Sequence, residues 1–350
     1  MTRSARSDTT ASCCRPCQPI VSGMSEITGN KTAAAISRRG VLTAGAAVLA
    51  SAGCGAGQAT TTSVVEKTHL QVGAIKAVTA AGLYVAQQRG FFADEGLHVT
   101  IVPTTGSGPV MTDLLNGRLD VNFGNYVSFI AAQAKGVAKL RILVEGNNAT
   151  AHEQEIVTLT SSPVTSVTGL RGKVIGVNAL ANVATLIVSS VLAENGVRPR
   201  SVKFVAIPFP AMGAALAARR IDAAWLVEPY LTETQIKYGA QVVADGDQGA
   251  TQNFPISGYV TTAAWAGRYP KTAAAFTRAL NRGQQVADTS RLTVEQVLQR
   301  YLGVSEQVAS LAVTGDFPTS VDVTQIQRVA DIMHQFGMLA QPFNVNPMIS

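Results

Sequence analysis

The chain has 350 residues, of which 47% are hydrophobic and only 14% charged, with a formal net charge of +6. Six basic side chains and two acids fall in the first 54 residues, so the remainder nets only +2 and holds no Lys/Arg cluster. That excludes a nucleic-acid footprint, while the length allows two domains or one bilobed unit.

Residues 1–23 show no apolar period, and Met24 opens a conventional short basic region, so the start falls more naturally there. Cys13, Cys14 and Cys17 have a metal-like spacing, but no second half-site or His follows, and a metal centre is not expected. "SRRGVLTAGAAVLASAGC" then pairs Arg38-Arg39 with an apolar run from Gly40 to Ala52 and ends on Cys54. A run of about a dozen residues is too short to span a bilayer permanently. It reads as a twin-arginine export signal. The small residues before Cys54 resemble a bacterial lipoprotein cleavage site, although Val41 replaces the usual Phe and Ser51 the usual Leu. Residues 1–54 are therefore a leader, with Cys54 as the candidate lipidation site and membrane anchor; an ordinary cleaved signal without lipid is the alternative. No Cys follows Cys54, which excludes disulfides and thiol chemistry from the working domain.

Residues 55–68 are small and polar and read as a flexible tether. From His69, "HLQVGAIKA" predicts a buried strand, and "GLYVAQQRGFFADEGL" a helix with its exit between Gly90 and Gly96. "HVTIVPTTGSG" is a strand ending in a Gly/Ser/Thr loop. "PVMTDLLNGRLDVNFGN" is a helix with Pro109 in its first turn, followed by a third strand. The order then repeats: "GKVIGVNA" is a strand, "NVATLIVSSVLAENGV" a helix, "VKFVAIPFP" a strand, and "AMGAALAARRIDAAWL" a helix and strand. Pro109, Met111 and Leu115 fall opposite Pro210, Met212 and Leu216 at one offset, and Asp120 meets Asp222 one residue later. Two β-α-β-α-β copies predict an α/β architecture with a parallel-rich sheet in each of two lobes. Asp120 and Asp222 precede their strands and read as turn or cap residues.

In open parallel sheets ligands sit outside the carboxyl ends of the strands. The candidate ligand-binding residues there are Lys76, Thr79, Thr105, Ser107, Asn125 and Tyr126 in the first copy. The second supplies Asn178, Asn182, Phe209, Trp225, Glu228 and Tyr230. Hydroxyl, amide and aromatic groups of this kind suit a small organic molecule. Glu228 reads either as a carboxylate seeking a ligand donor or as one bonded to backbone amides beside Pro229, and Trp225 as a contact or as core. His69, His98, His152 and His334 lie far apart without metal-ligand pairing, although the loop of His152 could approach the cleft, and no nucleophile motif occurs.

"GLYVAQQRGFFADEGLHVTIVPTTGSG", "LLNGRLDVNFG", "SSPVTSVTGLRGKVIGVN" and "RRIDAAWLVEP" closely resemble periplasmic solute-binding proteins of ABC importers in the nitrate/sulfonate/taurine group, which includes binders of thiamine-pyrimidine precursors. The resemblance covers Leu70 to Thr262. It implies a bilobed, type II-like periplasmic-binding-protein fold: lobe one over 69–158, lobe two over 159–255, and a return to lobe one with C-terminal helices over 256–350. The crossover strands are expected near Thr158 to Ser162 and Ile256 to Thr261. It also implies an exported, non-enzymatic protein without cofactor that hands a small solute to a membrane permease. Sulfonate binders carry a Ser/Thr-rich loop after the first strand of lobe two; here "NALANVATL" is largely apolar, which disfavours nitrate, while lobe one keeps an anion-friendly "TTGSGP". Phe209, Trp225 and Tyr230 favour an organic ligand with a flat or apolar face. The alternative from another class is an enzyme resembling thiamine-pyrimidine synthases, whose Cys/His-rich iron motif this chain lacks.

Overall fold

Ten strands build two five-stranded sheets of one pattern in the computed structural model, which describes residues 64–104 and 107–349. The leader, Cys54 and Thr105 lie outside those residues. The strands are β1 (His69–Ala74), β2 (His98–Pro103), β3 (Val121–Asn125), β4 (Leu140–Asn148) and β5 (Gln154–Leu159), followed by β6 (Val174–Val177), β7 (Lys203–Ala206), β8 (Ala223–Val227), β9 (Ala240–Asp245) and β10 (Pro255–Thr262). The first sheet runs β2-β1-β3-β10-β4 and the second β7-β6-β8-β5-β9. Within each, the repeat-encoded strands pair in parallel, as in the register His69↔His98 to Ala74↔Pro103. The fourth strand of each, β10 or β5, is antiparallel to both neighbours.

The sheets exchange chain twice. The backbone leaves the first sheet after Asn148 and enters the second at Gln154; it leaves the second after Asp245 and returns at Pro255. Each passage leads into the antiparallel strand of the sheet entered: β5, which ends at Leu159 with Thr158 buried and its hydroxyl donating to the Val164 carbonyl at 3.1 Å, and β10, which holds Ile256 to Thr261. A strand pattern shows where a chain is extended, but not at which end it changes sheets.

Asp120 and Asp222 explain why the two copies share a sequence signature. Asp120 N–H donates to Gln71 O, and its carboxylate accepts from Gln71 N at 2.9 Å. Asp222 N–H donates to Val174 O, and its carboxylate accepts from Val174 N at 2.8 Å. Each Asp therefore ties the start of its third strand to the start of the first. Asp120 also accepts from Trp265 Nε1 at 2.8 Å and pairs with Lys67. Both are structural residues, as their positions before the strands predict.

The C-terminal helices close the first sheet. Helix Pro270–Thr289 repeats its buried residues at helical spacing, including Ala275, Phe276, Ala279, Leu280 and Gly283. Phe276 joins the core that holds Leu70, Val72 and Tyr259, and burial of such a side chain contributes about 1.5–3 kcal/mol. This helix approaches helix Ala81–Gln88 closely because a Cβ at Gly283 would stand 2.3 Å from the Gly82 carbonyl oxygen. Among the described residues no helix is long and apolar enough to cross a membrane.

Candidate functional site

The exits of parallel strands in both sheets converge on one cavity. The first sheet contributes Ile75 and Thr79 after β1, Thr104 after β2, and Asn122 to Asn125 of β3. The second contributes Asn178 after β6, Phe209 after β7, and Trp225 and Val227 of β8. Val110 and Val183 sit in the first turns of helices Ser107–Leu115 and Val183–Glu194, and Ile256 and Ser257 of β10 complete the wall. About 60 Å³ is open to the centres of water molecules, room for a few waters or a small solute.

Of the residues singled out from sequence, Thr79, Asn125, Asn178, Phe209 and Trp225 line this cavity. Asn125 caps helix Tyr126–Ala134, its Oδ1 accepting from Ser128 N at 2.9 Å. Asn182 is 1% exposed and stands one layer back. Its Oδ1 accepts from Ala184 N at 3.1 Å and its Nδ2 donates to Asn178 Oδ1 at 3.1 Å, so it orients Asn178 rather than reaching the cavity itself. Phe209 stacks on Tyr230 with ring centroids 5.3 Å apart and lies tilted against Trp225 at 5.9 Å. Trp225 is thus both core and cavity wall, which resolves the two readings of it. Ser107 is the first residue of its helix, and Thr105 lies outside the described residues.

Besides Asn182, four expectations are corrected. Lys76 is exposed and lines a separate groove with Tyr84, Gln87 and Tyr301. Tyr126 is fully buried, packed where a Cβ on Gly258 would lie 2.5 Å from its hydroxyl, because the residue after Asn125 turns into the helix and faces the core. Tyr230 sits beside the cavity, and its hydroxyl donates to the Lys76 carbonyl at 2.7 Å. Glu228 is 2% exposed; its carboxylate accepts from Thr232 Oγ1 at 2.8 Å, Thr232 N at 3.2 Å and Val313 N at 3.3 Å. Burial pushes this carboxyl up to about 7, against those hydrogen bonds, which favour its charged form. The backbone-bonded reading of Glu228 is the one the geometry carries.

Two hydrogen bonds therefore join the sheets across the cavity rim: Tyr230 Oη to Lys76 O, and Val78 N to Glu228 O at 3.1 Å. Both connect the exit of β1 to the exit of β8. His152 does not reach the cavity; it is exposed in the passage from β4 to β5, with Nδ1 3.0 Å from Glu155 Oε1. His98 is exposed and stacked on His69.

Sequence reasoning missed Asn122, Phe123, Ile256 and Ser257. Asn122 and Phe123 lie inside a strand rather than at its exit. Ser257 sits on the returning antiparallel strand, whose position in the sheet no local pattern reveals. Its hydroxyl bonds Asn147 Oδ1, and Asn147 Nδ2 donates to Glu153 Oε1 at 3.0 Å, so a polar line runs from the cavity wall to the first passage between sheets. Among the described residues no group of three or more His, Cys, Asp or Glu could hold a metal ion.

Two sheets of like order, exchanging chain twice and enclosing a cavity at their strand exits, are the periplasmic-binding-protein fold. The alkanesulfonate-binding protein SsuA from Xanthomonas axonopodis pv. citri, solved bound to MOPS, matches with a TM-score of 0.71 and 19% identity over 82% of this chain and 99% of that one. A Candida albicans protein described as having the generic periplasmic binding protein fold matches at 0.69 and 17%, over 81% and 96%. The desulfurization enzyme DSZB matches at 0.63 and 15%, over 81% and 96%. No curated protein sequence matches the chain. Residues 77–289 match the model of the NMT1/THI5-like family, and the chain belongs to that family.

Proposed function

We propose that the protein is an extracytoplasmic solute-binding protein that captures a small organic compound between its two lobes and delivers it to an ABC permease. A sulfonate-type or an amine-bearing or aromatic compound fits the parent group. The observation that carries the reading is the shared cavity, walled by strand exits of both sheets and bridged at its rim by Tyr230 and Val78. A solute there touches both walls only when the lobes are together, so binding favours the closed state. The described lining holds hydroxyls and amides but no thiol, imidazole or carboxylate, which supports binding over catalysis even though the fold also serves a desulfurization enzyme. In this reading residues 1–54 direct export, Cys54 carries the lipid that holds the protein at the membrane surface, residues 69–148 with the C-terminal segment form one lobe, and residues 154–245 form the other.

Thermal melts against nitrate, taurine, alkyl and aryl sulfonates, aromatic carboxylates and amine-bearing rings test the proposal. A solute at about a hundred times its dissociation constant adds roughly 2.7 kcal/mol, which raises Tm by several degrees. No shift with any member of the panel speaks against solute capture. Retention of a Cys54→Ser variant in the membrane fraction speaks against the anchor.

A further inference from the structure

None of the cavity's described lining residues is charged. Helices Ser107–Leu115, Tyr126–Ala134, Val183–Glu194 and Phe209–Ala217 begin at its wall, and two of them have a leading amide occupied: Ser128 N by Asn125 Oδ1, and Ala184 N by Asn182 Oδ1. Each of those two caps commits one of the N–H groups with which helix starts hold anions. An anion moved into this lining would lose its hydration without a charged side chain to replace it.

What the cavity does offer is an unused polar atom. Asn122, 2% exposed, has an Oδ1 with no hydrogen-bond partner. The Asn122 amide occupies room that two glycines leave. A Cβ on Gly73 would stand 3.0 Å from Oδ1, and one on Gly124 would stand 3.4 Å from Nδ2. The amide thus lies in a slot that these glycines leave across β1 and β3. A buried acceptor without a donor is costly, and a solute that brings the donor relieves that cost. Beside it Phe209 and Trp225 present ring surfaces suited to a flat apolar body.

We infer that Asn122 is the specificity-determining residue of the cavity, accepting a hydrogen bond from an N–H or O–H of an uncharged, flat solute and thereby excluding sulfonates and other anions. The inference rests on the solute-binding reading above.

Matched ring compounds test it on the full chain: benzamide with its N,N-dimethyl form and benzenesulfonate, and phenol with anisole and phenyl phosphate. Binding is read by thermal shift and calorimetry. Shifts confined to the donor-bearing, uncharged members are expected. Asn122→Val should weaken the binding of every hit by at least about tenfold, yet melt no lower than the parent without solute, because an unsatisfied acceptor is replaced by an apolar group. Asn122→Ala should show the same loss and serves if the valine variant does not fold. Equal binding of the methylated forms, binding of the sulfonate, or unaltered binding to both variants would overturn the assignment. An anionic hit overturns only this assignment and leaves solute capture standing; silence across these compounds and the wider panel overturns both.

Discussion

Glu153 gives the sharpest test of the packing between the sheets. It is fully buried in the first passage, accepting from Asn147 Nδ2 and, at 3.4 Å, from Thr150 N. Burial raises its carboxyl to about 8; the Thr150 amide opposes this, while the charges of Glu228 and Asp316 add to it. Asp247, also buried, is raised to about 9 by burial and then by Glu153. An unfolded Glu releases its proton near its ordinary 4.5, so between that value and about 8 the folded protein holds a proton that the unfolded chain does not. The contribution is fully present below the unfolded value and is lost as pH rises through the folded one, at about 1.4 kcal/mol per pH unit. Glu153→Gln removes the titration and keeps one acceptor for Asn147. The variant should match the parent to within about 1 kcal/mol near pH 5, the scale of one weak hydrogen bond. It should exceed the parent by up to about 3 kcal/mol near pH 7, part of that coming from Asp247 relieved of a neighbour. Urea unfolding at a series of pH values reads the difference, in which the remaining carboxyls largely cancel. Parallel stability profiles for the two proteins would refute the reasoning, and so would a variant that loses ground as pH rises.

The repeat itself can be tested by truncation. Asp120→Ala strands Gln71 N, Trp265 Nε1 and the Lys67 ammonium in a site that is 3% exposed, and should cost about 3 kcal/mol in urea unfolding. Asp222→Ala, with a half-exposed side chain and one backbone amide to lose, should cost about 1 kcal/mol. Neither should move solute affinity, and a reversed order would show that the two copies are not held as described. Tyr230→Phe removes the rim hydrogen bond to Lys76 O, which the proposed closure would form. Calorimetry with any solute that binds should show affinity weakened by about two- to tenfold, with the unliganded melt little changed. An unaltered affinity would remove Tyr230 from the closure.

What could be read from the sequence is what neighbouring residues decide among themselves. Strand and helix alternate with buried and polar residues in register, so both β-α-β-α-β copies and the offset between Asp120 and Asp222 were visible; the structure has those two bind strand start to strand start rather than cap a turn. The cavity was visible as far as it is made of strand exits: Thr79, Asn125, Asn178 and Phe209 are placed by the rule that parallel strands point their carboxyl ends at a ligand. It was hidden wherever a distant segment decides the outcome. Glu228 looks like a ligand carboxylate until Val313, 85 residues away, supplies its amide. Ser257 enters the wall only because β10 inserts antiparallel between β3 and β4, and Glu153 is buried only because the chain changes sheets there. Asn122 is the most instructive case. By alternation alone it is one more residue of a buried strand, and what sets it apart is two glycines, one of them on another strand, that leave its amide unpartnered at the floor of a cavity. Polar atoms that a fold buries without satisfying are invisible to periodicity, and they are the atoms through which such a site can tell one solute from another.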